Sequence, residues 1–445
     1  MIARFGDALS RLAGRWMPDP FIFALLLTLV TLALGVVLTP NSPAAMVGHW
    51  MSGFWDLLTF SMQMVLILVT GGVLAQSPPV RRVIDALAAR PHSTGSAVVL
   101  VSLAAMIAAL VNWGLGLIVG ALLARGTGAS LKARGIPHHY PLIGAAGYTG
   151  LLVWHGGLSG SAPLSVATPG HFLESVAGII PVTATTFSGL NLALTLALLA
   201  VVPLILRAMT PRKSADWQGM EGGGLAAGPD LASAAPTPAR TLNESRLLGL
   251  LVCLPALGFL VWHFSRRGLA GLDLNSMNLA FLFLGFLFFL RPLAYARAVG
   301  QAVSGSAGII LQFPFYAGIM GMMRDSGLVE VFSGALVSFS SPVTFAPLAF
   351  LSGGLVNLFV PSGGGQWAVQ GPILLEAAAQ LGVSPSATVM ALAYGDQWTN
   401  MLQPFWALPL LGLTGLEARQ IIGYSSALMI LVAPVIIAGL IIFSL

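Results

Sequence analysis

The chain has 445 residues, 56% hydrophobic and only 8% charged, with a mean hydropathy of +0.88. A soluble domain carries about 25% charged residues, so this chain lacks the polar surface to face water and reads as an all-α polytopic membrane protein. Its net charge of +5 fits orientation signals in cytoplasmic loops, not a nucleic-acid partner, and the single Cys253 excludes an internal disulfide.

In chain order, Arg4, Arg11 and Arg15 precede an apolar run over 20–39. No clear small-residue cleavage site follows, so the run reads as a retained first span with a cytoplasmic N-terminus. Residues 42–58 carry Trp50 and Trp55 and read as an amphipathic interfacial segment. Further spans are predicted over 59–77, 139–168, 180–207, 247–264, 275–291, 307–324, 386–412 and 420–444. Segments 78–93 (Arg81, Arg82, Arg90) and 125–138 (Arg125, Lys132, Arg134) are both basic. If both are cytoplasmic, 94–124 enters the membrane and returns as a re-entrant hairpin with Asn112 near its tip. Segments 325–342 and 376–387 hold no Lys or Arg, so 343–375 is expected to dip in from the periplasmic side. Arg266 and Arg267 then fall on the outer side, against the positive-inside statistics.

The two halves look alike. LVNWGLG from Leu110 has a counterpart in LVNLF from Leu355, with Asn112 and Asn357 at a spacing of 245. Gln63 and Gly72 match Gln312 and Gly321 at a spacing of 249, and HGGLSGSAP from His155 lies opposite DQWTNMLQP from Asp396 at 241. Three segments in one order point to a duplication. The expected organisation is a first repeat over 1–207, a flexible cytoplasmic linker over 208–246 and, over 247–445, an extra helix plus a second, inverted repeat.

The stretch LVNLFVPSGGGQW, Leu355–Trp367, places Pro361 and Gly363–Gly365 inside an apolar run. Irregular backbone at membrane depth is tolerated only beside protein or a water-filled cavity. Such a break frees N–H and C=O groups that bind ions and small anions. Close helix packing through the glycines is the competing reading. Two ionisable residues, His155 and Asp396, lie in otherwise apolar spans, which marks them as candidates for proton coupling. A hydrogen-bonded core histidine and a capping aspartate are the alternatives. Polar groups gather around them and at the tips. The candidate substrate-binding residues are Asn112, Ser159, Ser161, Asn357, Ser362, Gly363, Gly364, Gln366, Thr399, Asn400 and Gln403. Residues 139–206 and 343–411 contain no Lys or Arg, so no fixed cation there can clamp a carboxylate. That favours one carboxylate over two.

The motifs GHWMSGFWDLLTFSMQMVLILVTGG (Gly48–Gly72), VNLFVPSGGGQWAVQGP (Val356–Pro372) and GDQWTNMLQPFWALP (Gly395–Pro409) resemble the short-chain fatty acid transporter family. The likeness runs over nearly the whole chain. It implies uptake of short monocarboxylates, of the acetoacetate or butyrate type, across the bacterial inner membrane. It further implies two inverted structural repeats with re-entrant hairpins and broken helices, and often a homodimer. Dicarboxylate carriers of the same superfamily carry Ser-Asn-Thr at the tips; here the asparagine remains and its neighbours differ. The expected function is secondary active transport with H+ or Na+ as coupling ion, without cofactor or bound metal, in contact with membrane lipid. An exchanger, a carrier for dicarboxylates or amino acids, and an intramembrane enzyme are the competing readings. The enzyme is disfavoured because neither HExxH nor GxSxG occurs.

Overall fold

The computed structural model describes residues 20–210, 237–358 and 362–443, and every regular element among them is helical. Helix α1, Pro20–Leu38, is followed by α2, Pro43–Gly53, started by Ser42, whose side chain accepts from the Ala45 amide. Trp55 beyond it is exposed, as an interfacial anchor should be. Trp50 is half-buried and packs on Phe54 and Phe315. Next come α3, Leu58–Gln76, and a short helix the pattern did not announce, α4, Pro78–Ala88.

Helices α5, Thr94–Val111, and α6, Trp113–Ala133, form a helical hairpin where a re-entrant one is expected over 94–124, with a second arm that continues to Ala133. The span expected over 139–168 is broken. It consists of α7, Tyr140–Tyr148, two 3-10 turns at Thr149–Leu152 and Trp154–Gly156, and α8, Ser161–Ala167. Helix α9, Gly189–Ala208, begins later than the predicted 180, because Ser188 caps it and the preceding Pro181–Phe187 stretch forms turns.

The predicted linker 208–246 falls largely in 211–236, outside the described residues, as do Arg4, Arg11 and Arg15. Helices α10, Arg246–Arg267, and α11, Leu274–Phe289, match their predicted spans. Helix α12, Pro292–Val303, meets α13, Ala307–Ser326, at 55°. After α14, Leu328–Ser338, come the second hairpin, α15, Pro342–Asn357, and α16, Gly363–Leu381, and then α17, Pro385–Thr399. A 3-10 turn at Asn400–Leu402 separates α17 from α18, Pro404–Thr414, and α19, Ala418–Ile442, closes the chain.

Each half thus runs in one order: a long helix (α3 or α13), a hairpin (α5–α6 or α15–α16), then a helix broken at its middle (α7–α8 or α17–α18). In each half the hairpin lies against the broken helix. At Gly120 the approach is backbone to backbone: a Cβ there would stand 2.0 Å from the Gly147 carbonyl oxygen. Small residues at such crossings let lipid-embedded helices gain van der Waals contact where the hydrophobic effect gives little. Among the described residues, six helices are long and apolar enough to cross a membrane, and a seventh if α12 and α13 count as one bent span. The chain is a multi-pass membrane protein.

Candidate functional site

Asn112 is the only residue between α5 and α6, and it has extended backbone angles, φ −154 and ψ 127. Its side chain does two jobs. The Oδ1 caps α6 by accepting from the Leu115 amide at 2.9 Å, and the Nδ2 donates to the Ile67 carbonyl at 3.0 Å. Ile67 is near the middle of α3, so the tip sits about half-way along a spanning helix. The Trp113 amide donates to Ser159 Oγ at 2.9 Å and the Leu158 amide to the Leu110 carbonyl at 2.7 Å, which laces the tip to the break between α7 and α8.

The second half uses the same device. Asn357 ends α15, and its Nδ2 reaches the Asp396 carbonyl at 2.7 Å, Asn400 Oδ1 at 2.9 Å and Thr399 Oγ1 at 3.0 Å. Gln403 donates to the Asn357 carbonyl, and Thr399 Oγ1 donates to the Gly354 carbonyl at 2.9 Å. Gln366 holds the two hairpin arms together, its Nε2 donating to the Gly353 carbonyl at 2.7 Å. Ser362 caps α16 by accepting from the Gly365 amide at 3.2 Å. Residues 359–361, with Pro361, lie outside the described residues.

His155, in the turn after α7, and Asp396, in the last turn of α17, meet. His155 Nδ1 is 2.8 Å from Asp396 Oδ2, with side chains 0% and 1% exposed. The other ring nitrogen, Nε2, accepts from the Ala162 amide at 3.1 Å and faces Ser161 Oγ at 3.2 Å. An amide only donates, so Nε2 is the acceptor and Nδ1 carries the proton toward the carboxylate. The His155 amide donates to Gln397 Oε1 at 3.1 Å, and Trp154 stacks on the ring with centroids 4.4 Å apart. The remaining carboxylate oxygen, Asp396 Oδ1, is buried with no hydrogen-bond partner among the described residues.

Both tips and both breaks converge on one small cavity, in which about 30 Å³ is open to the centre of a water-sized molecule. Ser161, Ser362, Gly363, Gly364 and Asn400 line it, together with Trp113, Trp154 and Trp406. Met64 from α3 and Ile309 and Phe313 from α13 also line it. Such a space holds one or two waters, so a four-carbon acid enters only if the walls move. Of the eleven candidate binding residues, these five face the cavity. Asn112, Ser159, Asn357, Gln366, Thr399 and Gln403 are instead bonded to the protein as fasteners of the tips. Replacing Asn112 with Ala removes the α6 cap, and thermal unfolding in detergent should report a loss of about 1–2 kcal/mol. An unchanged midpoint would show that the tip is held by other contacts. Trp406 stands beside the polar run Gln397–Gln403 and is a candidate from sequence, with helix packing as its alternative, whereas Trp113 and Trp154 are only chain neighbours of Asn112 and His155 and carry no signal of their own.

The model of the family described as short chain fatty acid transporter matches residues 1–443. The chain belongs to that family. A relative from Escherichia coli (strain K12) is 43% identical over 447 residues, covering all of both chains. One from Haemophilus influenzae is 39% identical over 450 residues, 99% of each. Both are provisionally described as short-chain fatty acid transporters. Among solved structures, the YdaH transporter of Alcanivorax borkumensis, described as having an unusual topology, matches with a TM-score of 0.58 and 20% identity. The match covers 96% of this chain and 98% of that one, and at such identity it speaks for the fold alone. The broken helices and paired hairpins described above are therefore the architecture of a family of short-chain fatty acid transporters.

Proposed function

We propose that this chain is a secondary carrier that takes up short monocarboxylates of the butyrate or acetoacetate type across the bacterial inner membrane by proton symport. The observation that carries the reading is a buried His155–Asp396 pair that sits directly behind Ser161, which lines one small cavity together with the α16 N-terminus. With His155 neutral and Asp396 ionised, the pair holds one negative charge, and no Lys or Arg lies in 139–206 or 343–411 to offset it. A second anion about 8 Å away meets a repulsion of about 2 kcal/mol at an effective dielectric of about 20. A proton on Asp396 Oδ1 removes that repulsion and raises affinity for the acid by about thirtyfold. Acid and proton then bind together, which is the requirement for symport.

The carboxylate has the Ser161 hydroxyl, the Asn400 amide and the first residues of α16 as partners. The tryptophans take the tail. Burying three carbons contributes about 2–3 kcal/mol, so affinity is modest. In this reading α5–α6 is a re-entrant hairpin from the cytoplasmic side and α15–α16 one from the periplasmic side, in two inverted repeats. The basic segments at 78–93 and 125–138 support that assignment. The N-terminus is then cytoplasmic, and alternating access moves one hairpin-bearing unit against a scaffold that pairs as a homodimer.

A sodium-coupled variant has its own support. Asp396 Oδ1, Asn357 Oδ1 and Gln403 Oε1 are buried acceptors with no partner among the described residues, on residues joined by hydrogen bonds. Oxygens of this kind also suit a small cation. The serine–histidine–aspartate chain invites comparison with a hydrolase. Here His155 Nε2 already accepts from the Ala162 amide, which weakens it as a base for Ser161. Uptake of labelled butyrate or acetoacetate into proteoliposomes, corrected for protein-free liposomes, tests the whole reading. Saturable uptake accelerated by an acidic exterior is expected. Acceleration by sodium at equal pH would support the variant, and no carrier-dependent uptake of any monocarboxylate would overturn both.

A further inference from the structure

We propose that the groove between α4 and the α5–α6 hairpin binds an anionic phospholipid, with Arg207 holding the phosphate and one acyl chain lying along α5. The groove encloses about 820 Å³ and is separate from the central cavity. Its apolar wall is the Val80, Ile84, Leu87 stripe of α4, which has helical spacing. Its floor is Val99, Leu103 and Ile107 of α5, ending at Val111. From Val99 to Val111 the helix rises about 18 Å, close to the depth of one leaflet of a hydrocarbon core about 30 Å thick.

The polar lining residues gather at one end. Ser93 and Ser96 form the capping box that starts α5, and Arg207 comes from the last turn of α9. Arg207 is the sole charged residue of the lining and is exposed, and among the described residues it has no ion-pair partner. A Cβ on Gly95 would stand 3.7 Å from Arg207 Cγ and 4.0 Å from its Nε, so the arginine lies over the first turn of α5. There the partial positive charge of an 18-residue helix adds to its own. Arg81 and Arg82 are exposed on the adjoining α4. A cationic mouth above an apolar trough one leaflet deep complements an anionic headgroup and its tail, and not a zwitterionic lipid of the same tail. The trough ends beside Asn112, so the bound chain lies along the hairpin whose tip walls the central cavity. Any effect on transport rests on the carrier reading; the binding itself does not.

The test is native mass spectrometry of the full chain from bilayers of equal phosphatidylglycerol and phosphatidylcholine. The wild type is expected to retain phosphatidylglycerol over phosphatidylcholine by about fivefold, the preference of roughly one interfacial arginine. Arg207→Gln should abolish the preference, and Arg297→Gln, on another exposed surface, should keep it. Equal retention of the two lipids by the wild type, or an undiminished preference in Arg207→Gln, overturns the proposal. Labelled butyrate whose binding depends on Arg207 would assign the groove to the transported acid, and a dimer lost in Arg207→Gln would assign it to a second copy. Either result equally overturns the proposal.

Discussion

Asp396→Asn is expected to keep counterflow exchange of butyrate and to lose the acceleration of uptake by an acidic exterior. The substitution preserves shape and leaves an oxygen to accept from His155 Nδ1, at present 2.8 Å from the carboxylate. It also removes the charge, and so imitates the protonated state at every pH. In the proposed symport the carboxylate gains a proton as the acid binds and releases it before the empty carrier returns. The asparagine variant is permanently in the first condition. Its carrier-dependent initial rate, after subtraction of protein-free liposomes, should be flat with external pH. The wild-type rate should rise as the exterior is acidified, by up to about fivefold per pH unit and about thirtyfold in all. The subtraction is essential because the neutral acid crosses lipid unaided. A pH-accelerated rate that survives in Asp396→Asn would free Asp396 of the coupling role.

Gly363→Ala should reduce uptake at least about tenfold while the protein still folds. The added methyl would stand 2.7 Å from His155 Cε1, 2.8 Å from Ser161 Oγ and 2.9 Å from Trp154. These neighbours cannot easily give. His155 is bonded on one side to Asp396 and on the other to the Ala162 amide, and Trp154 stacks on it. Overpacking of this kind costs about 1–3 kcal/mol, released by lifting the hairpin tip or by breaking the His155–Asp396 bond. Either disrupts the cavity. Gly412 meets nothing within 4 Å, so Gly412→Ala is the matched control and should transport normally. Wild-type uptake by Gly363→Ala would show that the tip does not press on the histidine during transport.

Much of this arrangement is legible in the sequence because breaking a helix in lipid demands particular residues. Asn112 marks the break between α5 and α6, Asn357 and the Gly363–Gly365 run bound the break between α15 and α16 by ending one helix and starting the next, and basic segments flank the first hairpin. The matched spacing of His155 and Asp396 put them at equivalent places in two halves. It did not reveal that they touch, since repeat register says nothing about how the two breaks cross. Nor could residue type separate a ligand-facing amide from a fastener. Asn112, Asn357 and Gln403 each meet a backbone carbonyl, and only the fold decides which carbonyl is near. Helices α4, α12 and α14 were missed because short segments lying outside the long apolar runs give no spanning signal. The start of α9 was placed too early because Pro181–Phe187 is apolar enough to pass for membrane, although its proline and threonines turn the chain.

Co-binding of acid and proton is tested most directly by proton uptake. Butyrate is added, at a series of pH values, to the purified protein in weakly buffered solution with a pH indicator. At the pH of largest effect up to about 0.7 of a proton should be taken up per butyrate bound by the wild type, the ceiling for a thirtyfold coupling, and none by Asp396→Asn. Butyrate bound by the wild type with no proton taken up would contradict the account.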